Sequence, residues 1–197
     1  YFVHQILKDA YGPKVALFSS EETTTDGVHY HPSVLTTPEA LVLYQQMAQA
    51  VEKGLTHVVM EVSSQAYKTK RVFGLTFDLG IFLNISPDHI SPIEHETFEE
   101  YFLCKQELLL HSKKMVMNHE SDHFEVLENL CQINHIPYLT YGGSAADYPV
   151  IAMDDPRTFE LKSSTDPLAI NGDYALTMFG HFNHENAAAA LLATAWL

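Results

Sequence analysis

Residues 78 to 112 read D-L-G-I-F-L-N-I-S-P-D-H-I-S-P-I-E-H-E-T-F-E-E-Y-F-L-C-K-Q-E-L-L-L-H-S. The apolar run from Asp78 to Ile85 predicts a buried strand. Its end delivers Asn84, Asp88 and His89 into a Ser-Pro-rich loop, and a helix follows. Thr97 with Glu100 three residues on forms a capping box that starts this helix. The inward stripe is then Phe98, Tyr101, Phe102, Lys105, Leu108 and Leu109, so a lysine sits where a hydrocarbon is expected. Polar groups at a strand's end are where open α/β sheets place their chemistry.

Composition sets the limits. A chain of 197 residues that is 46% hydrophobic and 11% aromatic can bury a full core, most simply as one domain spanning 1–197. Eleven Lys and Arg against 25 Asp and Glu give a formal charge of -14, which repels nucleic acid and anionic lipid alike. Cys104 and Cys131 form neither a disulfide framework nor a metal spacing. No signal peptide or membrane-spanning run is visible, so a cytoplasmic protein without nucleic-acid or membrane partners is expected.

Outward from the opening stretch, strands and helices alternate. A helix from Tyr1 stops at Gly12-Pro13, Lys14 to Ser20 reads as a strand, and Glu21 to Pro32 reads as a loop or hairpin. In T-T-P-E (36–39), a threonine cap, a first-turn proline and an early glutamate start a helix with apolar Leu41, Leu43, Tyr44, Met47, Ala48 and Val51, ending near Gly54. Thr56 to Val62 predicts a central parallel strand ending in Glu61 and leading straight into Ser63-Ser64-Gln65. Lys68, Lys70 and Arg71 make a basic island. Further elements are strands at 113–118 and 136–141, a helix at 121–133, and short β segments at 147–153, 158–163 and 174–178. G-H-F-N-H-E-N (180–186) precedes an Ala-rich helix, 187–197. The expected fold is α/β, a mostly parallel sheet covered by helices on both faces, with a small antiparallel β appendage in the last third.

Glu61, His89 and Lys105 fall at strand ends or facing inward. Glu plus His is material for a divalent-metal site, which an ammonium would repel. Burial resolves the conflict, because low dielectric favours the neutral amine, and a neutral amine adds carbon dioxide to become a carbamate. Glu61, His89 and a carbamylated Lys105 would then suit magnesium. Each residue alone has a plainer reading: a salt-bridging glutamate, a structural loop histidine, a lysine that reaches the surface.

Together, M-E-V-S-S-Q (60–65), N-I-S-P-D-H (84–89), Y-F-L-C-K (101–105) and G-H-F-N-H-E-N (180–186) resemble, in order and spacing, the P-loop NTPase-like central ATPase domain of the Mur ligases. T-T-P-E, T-H-V-V-M-E-V-S-S and Arg71 look most like the MurE branch, which adds the third amino acid to UDP-N-acetylmuramoyl-L-alanyl-D-glutamate. The resemblance implies a cytoplasmic, monomeric ATP-dependent ligase of peptidoglycan precursor synthesis. Its substrates would be UDP-N-acetylmuramoyl-dipeptide and an amino acid, with ATP and Mg2+ as cofactors. It further implies magnesium binding by Glu61, His89 and the carbamate of Lys105, contact of Thr36, Thr37, Ser63 and Arg71 with the UDP-muramoyl substrate, and placement of Asn186 and Asn183 near adenine. The family's G-x-x-G-K-T/S loop would stand just before Tyr1 and its C-terminal domain after Leu197. The expectation is therefore a central domain truncated at both ends, inactive by itself. Asp154-Asp155-Pro156-Arg157 reads as an ordinary turn. Two alternatives share parts of the pattern: a folylpolyglutamate synthase-like ligase, against which T-T-P-E and Ser63 to Arg71 argue, and a non-catalytic Mur-like binding module.

Overall fold

The structure is a computed structural model and describes residues 1–87, 90–91 and 94–197. Two compact units divide the chain, one of Tyr1, Val3–Leu75 and Pro87–Leu108, the other of Phe2, Thr76–Ser86 and Leu109–Leu197.

The first unit begins with α1 (Phe2–Tyr11), which turns its His4 and Leu7 inward and ends at Gly12. β1 (Val15–Phe18) follows and is buried at all four positions. β2 (Glu22–Thr24) and β3 (His31–Pro32) form the expected hairpin and pair antiparallel on one side of β1. After α2 (Ala40–Glu52), β4 (His57–Met60) pairs parallel with the other side of β1. The sheet order is β3-β2-β1-β4, so the strand ending in Glu61 is an edge strand here and β1 is the interior one. Ala16, Phe18, Leu43, Ala50, Ala66 and Val72 form the core of this unit.

One local expectation is corrected here. α2 starts at Ala40 with Glu39 at its cap and no side-chain cap bond, so neither threonine caps it. The Thr37 hydroxyl is bonded instead to Glu61 O and Ser63 N. Leu43 and Ala50 carry the buried face of α2, whereas Leu41 and Val51 are exposed. The Ser63-Ser64-Gln65 stretch opens α3 (Ser64–Lys68), a short helix capped by the Ser63 hydroxyl, which accepts a bond from Ala66 N at 3.2 Å.

The second unit is a six-stranded sheet of order β10-β9-β8-β7-β6-β5. β5 (Gly80–Phe82) is the strand of the opening stretch. A Cβ on Gly80 would lie 2.5 Å from both Met115 Sδ and Ser112 Oγ, so only glycine permits this approach. The chain then runs through α4 (Phe98–Leu110), which belongs to the first unit as far as Leu108, before β6 (Met115–Asn118), α5 (Phe124–Ile133) and β7 (Tyr138–Gly142) of the second. β8 (Tyr148–Ala152) is parallel to β7, and β9 (Thr158–Leu161) and β10 (Gly172–Ala175) add antiparallel, two residues earlier for β10 than its sequence predicts. The turn between β8 and β9 holds Asp155 and Arg157 in a mutual ion pair, the ordinary turn expected.

α6 (His181–Trp196) packs on β6, β7, β8 and β9. Its alanines 187–190 and 193 are all buried, small enough to let the helix lie close to the sheet. It starts six residues before the alanine run, because Gly180 at φ 110° turns the chain into the helix. Asn183 and Asn186 therefore stand in its first turns rather than ahead of it.

Candidate active site

Glu61 follows β4 at the point where β1 also ends. Its N–H donates to Phe18 O at 2.8 Å, extending the β1–β4 ladder by one rung. That register sets Ser20 beside the Glu61 side chain, and Ser20 N and Ser20 Oγ both donate to Glu61 Oε2 at 2.8 Å. Two donors on one oxygen orient the carboxylate, and Glu61 Oε1 accepts no hydrogen bond among the described residues. The partner that a strand-end carboxylate needs is thus partly a donor network within the chain.

Thr37 is 0% exposed. Its hydroxyl donates to Glu61 O at 2.9 Å and accepts from Ser63 N at 3.0 Å, tying together both ends of the three-residue segment that leaves β4. Its carbonyl accepts from Arg71 Nη1 at 3.1 Å, and Arg71 Nη2 pairs with Glu39 Oε1 at 2.9 Å. Arg71 has a side chain only 12% exposed, and its buried Nε has no hydrogen-bond partner among the described residues. Four of the residues singled out from sequence, Glu61, Thr37, Ser63 and Arg71, are therefore one hydrogen-bonded group. Thr36 is half-buried beside them.

A second network lies along the start of α4. His95 is wholly buried, with Nε2 2.8 Å from Ser64 Oγ and Nδ1 3.9 Å from Glu100 Oε2. Lys68 Nζ donates to Glu94 O at 2.7 Å and pairs with Glu100 at 2.8 Å. The capping box forms with a shift: Thr97 Oγ1 accepts from Glu100 N at 3.2 Å, but the Glu100 carboxylate accepts from Glu96 N at 2.8 Å. The basic island is thereby spent mostly on local partners, with Arg71 the member that faces the Glu61 group.

The inward stripe of α4 is as expected, with Tyr101, Phe102 and Leu109 buried while Leu103 and Leu110 are exposed. Lys105 lies within it. Its Nζ is 5.7 Å from the centre of the Tyr101 ring and has no hydrogen bond or ion pair among the described residues. Burial alone pushes its ammonium pKa down from the ordinary lysine value. His89 and Asp88 lie outside the described residues. Among the described residues no cluster of three His, Cys, Asp or Glu is arranged to hold a metal ion.

In the second unit, Asn183 Nδ2 donates back to Phe179 O at 2.8 Å, while Asn186 is half-buried. Asn118 Nδ2 donates to Glu185 Oε2 at 3.3 Å. A depression of about 610 Å³ before and along α5, lined by His119, Asp122, His123 and Glu125 among others, includes none of the residues picked out from sequence. Among the described residues no helix is long and apolar enough to cross a membrane.

Sequence reasoning missed Ser20, Glu39 and His95. The adjacent serines after β1 and the glutamate of T-T-P-E were readable as polar residues at element ends, but nothing local says which carboxylate or cation each would meet. His95 offered no such signal.

The chain matches the Mur ligase middle domain over residues 1–194. It is 49% identical over 198 residues to UDP-N-acetylmuramoyl-L-alanyl-D-glutamate–L-lysine ligase of Enterococcus faecalis, covering 98% of this chain and 39% of that protein. It is 47% identical over 194 residues to UDP-N-acetylmuramyl-tripeptide synthetase of Lactococcus lactis subsp. cremoris, again over 98% of this chain and 39% of the relative. Among solved structures, a UDP-N-acetylmuramoyl-L-alanyl-D-glutamate–2,6-diaminopimelate ligase superposes with a TM-score of 0.78 at 24% identity, over 98% of this chain and 39% of that one, which speaks for the fold. The chain thus spans about two-fifths of the length of the relatives it matches. The chain belongs to the Mur ligase middle-domain family.

Proposed function

We propose that this chain is the central domain of an ATP-dependent ligase that adds the third amino acid to UDP-N-acetylmuramoyl-L-alanyl-D-glutamate. The observation that carries this reading is the joined group Glu61–Thr37–Ser63–Arg71, in which one buried threonine bonds the main chain of Glu61 through its hydroxyl and the Arg71 guanidinium through its carbonyl, joining a carboxylate suited to a cation with a guanidinium suited to an anion. The names of the relatives at 49% and 47% identity support the same substrate. The T-T-P-E segment and Arg71, which carry this group, favour the muramoyl substrate over a folate.

The residues fit magnesium. Glu61 presents an oriented carboxylate with one oxygen unbonded among the described residues, and Lys105 has a lowered pKa with no acidic partner among them. A lysine so placed has a larger neutral fraction, whose nitrogen forms a bond to carbon dioxide and releases a proton, leaving a carbamate. Hard oxygen ligands of this kind suit magnesium. Glu61, His89 and the Lys105 carbamate would hold it, and when bound it neutralises charge on phosphate oxygens.

In the reaction, a carboxylate oxygen of the muramoyl dipeptide bonds to the γ-phosphorus of ATP as the bond to ADP breaks. The amino group of the incoming amino acid then attacks the acyl carbon, phosphate departs, and the amine loses its proton. The chain's share is placement: Arg71 holds an anionic group of the muramoyl substrate, Thr36 and Ser63 line the same side, and Asn186 with Asn183 meet the adenine. ADP release by the full-length protein, assayed with ATP, UDP-muramoyl dipeptide and a panel of amino acids, tests this. Turnover requiring both the dipeptide and one amino acid is expected. Turnover with a folate and glutamate instead, or none with any pair, would overturn the reading.

A further inference from the structure

We infer that Thr37 is a positioning residue that couples the carboxylate of Glu61 to the guanidinium of Arg71, rather than a side chain that touches substrate. The inference rests on the ligase reading above and deepens it. A threonine hydroxyl has one proton, and Thr37 gives it to Glu61 O at 2.9 Å while accepting from Ser63 N at 3.0 Å. The residue is 0% exposed, so no substrate atom reaches this hydroxyl without opening the turn. The Ser63 hydroxyl is engaged elsewhere, accepting from Ala66 N as the cap of α3, so Thr37 holds the Glu61–Ser63 segment through main-chain atoms. The same residue's carbonyl holds Arg71 Nη1, and Glu39, two residues on, holds Nη2.

The consequence is mechanical. Glu61 is fixed on three sides: its N–H by Phe18 O, its carbonyl by Thr37 Oγ1, and its carboxylate by Ser20. Loss of the Thr37 hydroxyl frees the carbonyl and the following turn, and leaves the part-buried Glu61 O and Ser63 N without that partner. Glu61 would then move relative to Arg71 even though no group that touches a ligand has been removed.

The test uses the full-length protein with Thr37→Val and Thr37→Ser. Thr37→Val is expected to raise the magnesium concentration for half-maximal activity on the order of tenfold and to lower kcat, because the effect reaches Glu61. Thr37→Ser, which keeps the hydroxyl, should restore most of that loss. A rise in KM for the UDP-muramoyl dipeptide alone, with the magnesium requirement and kcat unmoved, would make Thr37 a simple substrate contact and overturn the inference. Should Thr37→Val fail to fold, amide exchange in the unaltered protein decides. The Ser63 N–H is expected to exchange at least about a hundredfold more slowly than an unstructured amide, and rapid exchange would refute the bond on which the inference stands. Absence of ligase activity in the unaltered protein would sink the functional reading while leaving the exchange test of Thr37 intact.

Discussion

Ser20 donates twice to the same oxygen of Glu61, once from its N–H and once from its hydroxyl, each at 2.8 Å. The pair joins the ends of two parallel strands, and it leaves the other carboxylate oxygen directed by a fixed partner rather than by solvent. Ser20→Ala removes one donor and keeps the other. The expected outcome is a roughly three- to tenfold higher magnesium requirement, about the net worth of one ordinary hydrogen bond, with Tm almost unchanged because the site is exposed. An unaltered magnesium titration would separate Ser20 from the function of Glu61.

Arg71 shares its guanidinium between Thr37 O and Glu39 and retains a buried Nε without a hydrogen-bond partner among the described residues. Arg71→Ala is predicted to weaken binding of the UDP-muramoyl peptide by about tenfold or more while leaving ATP affinity within about twofold. Calorimetric titration of each ligand into the full-length variant measures this. Equal affinity for the muramoyl peptide would remove Arg71 from the substrate site.

Lys105 gives a pH prediction whose sign follows from burial. Its pKa is lowered in the folded chain, so unfolding takes up a proton between that lowered value and the ordinary lysine value of 10.5. Below the lowered value both states are charged and the cost of burial is present in full. Stability therefore rises as pH climbs from the lowered value toward 10.5. In buffer free of carbon dioxide, Lys105→Met should be at least as stable as the unaltered protein near neutral pH, by about 0.5–2 kcal/mol, and its advantage should shrink as pH rises. The same variant should have no ligase activity. A variant with lower Tm at neutral pH and a pH-independent deficit would contradict this account of the lysine.

Ser64 and His95 anchor the start of α4 to α3 through a buried 2.8 Å contact. Ser64→Ala removes that partner from the imidazole and should lower stability by about 1–3 kcal/mol. Urea unfolding of the unaltered and variant proteins checks it, and a change within about 0.5 kcal/mol would mean that the contact carries no net stability.

The opening stretch was legible because two independent signals agreed. The apolar run at 78–85 and the stripe on 98–109 have different periods; the stripe matches α4, while the strand forms only at the centre of its run, as β5 at Gly80–Phe82. Lys105 was legible as an exception to a pattern. Thr37 was not, because a threonine before Pro-Glu at a helix start carries every local mark of a cap, whereas its bonds go to residues 61 and 63, more than twenty positions along the chain. The start of α6 was hidden for a related reason. Polar His181 to Asn186 show no apolar period, and of these residues only His184 is buried in the helix they begin. The edge position of β4 was likewise invisible, since a β-branched run records burial and not the order of strands.

The claim on which the site depends is that half-buried Lys105, as its carbamate, serves as an oxygen ligand. Carbon-13 NMR of the full-length protein in labelled bicarbonate tests it most directly, with Lys105→Met as the blank. A carbamate resonance that is present in the active protein, lost in the variant and lost together with activity on removal of carbon dioxide is the predicted result. An active protein with no such resonance, or with activity indifferent to carbon dioxide, would contradict it.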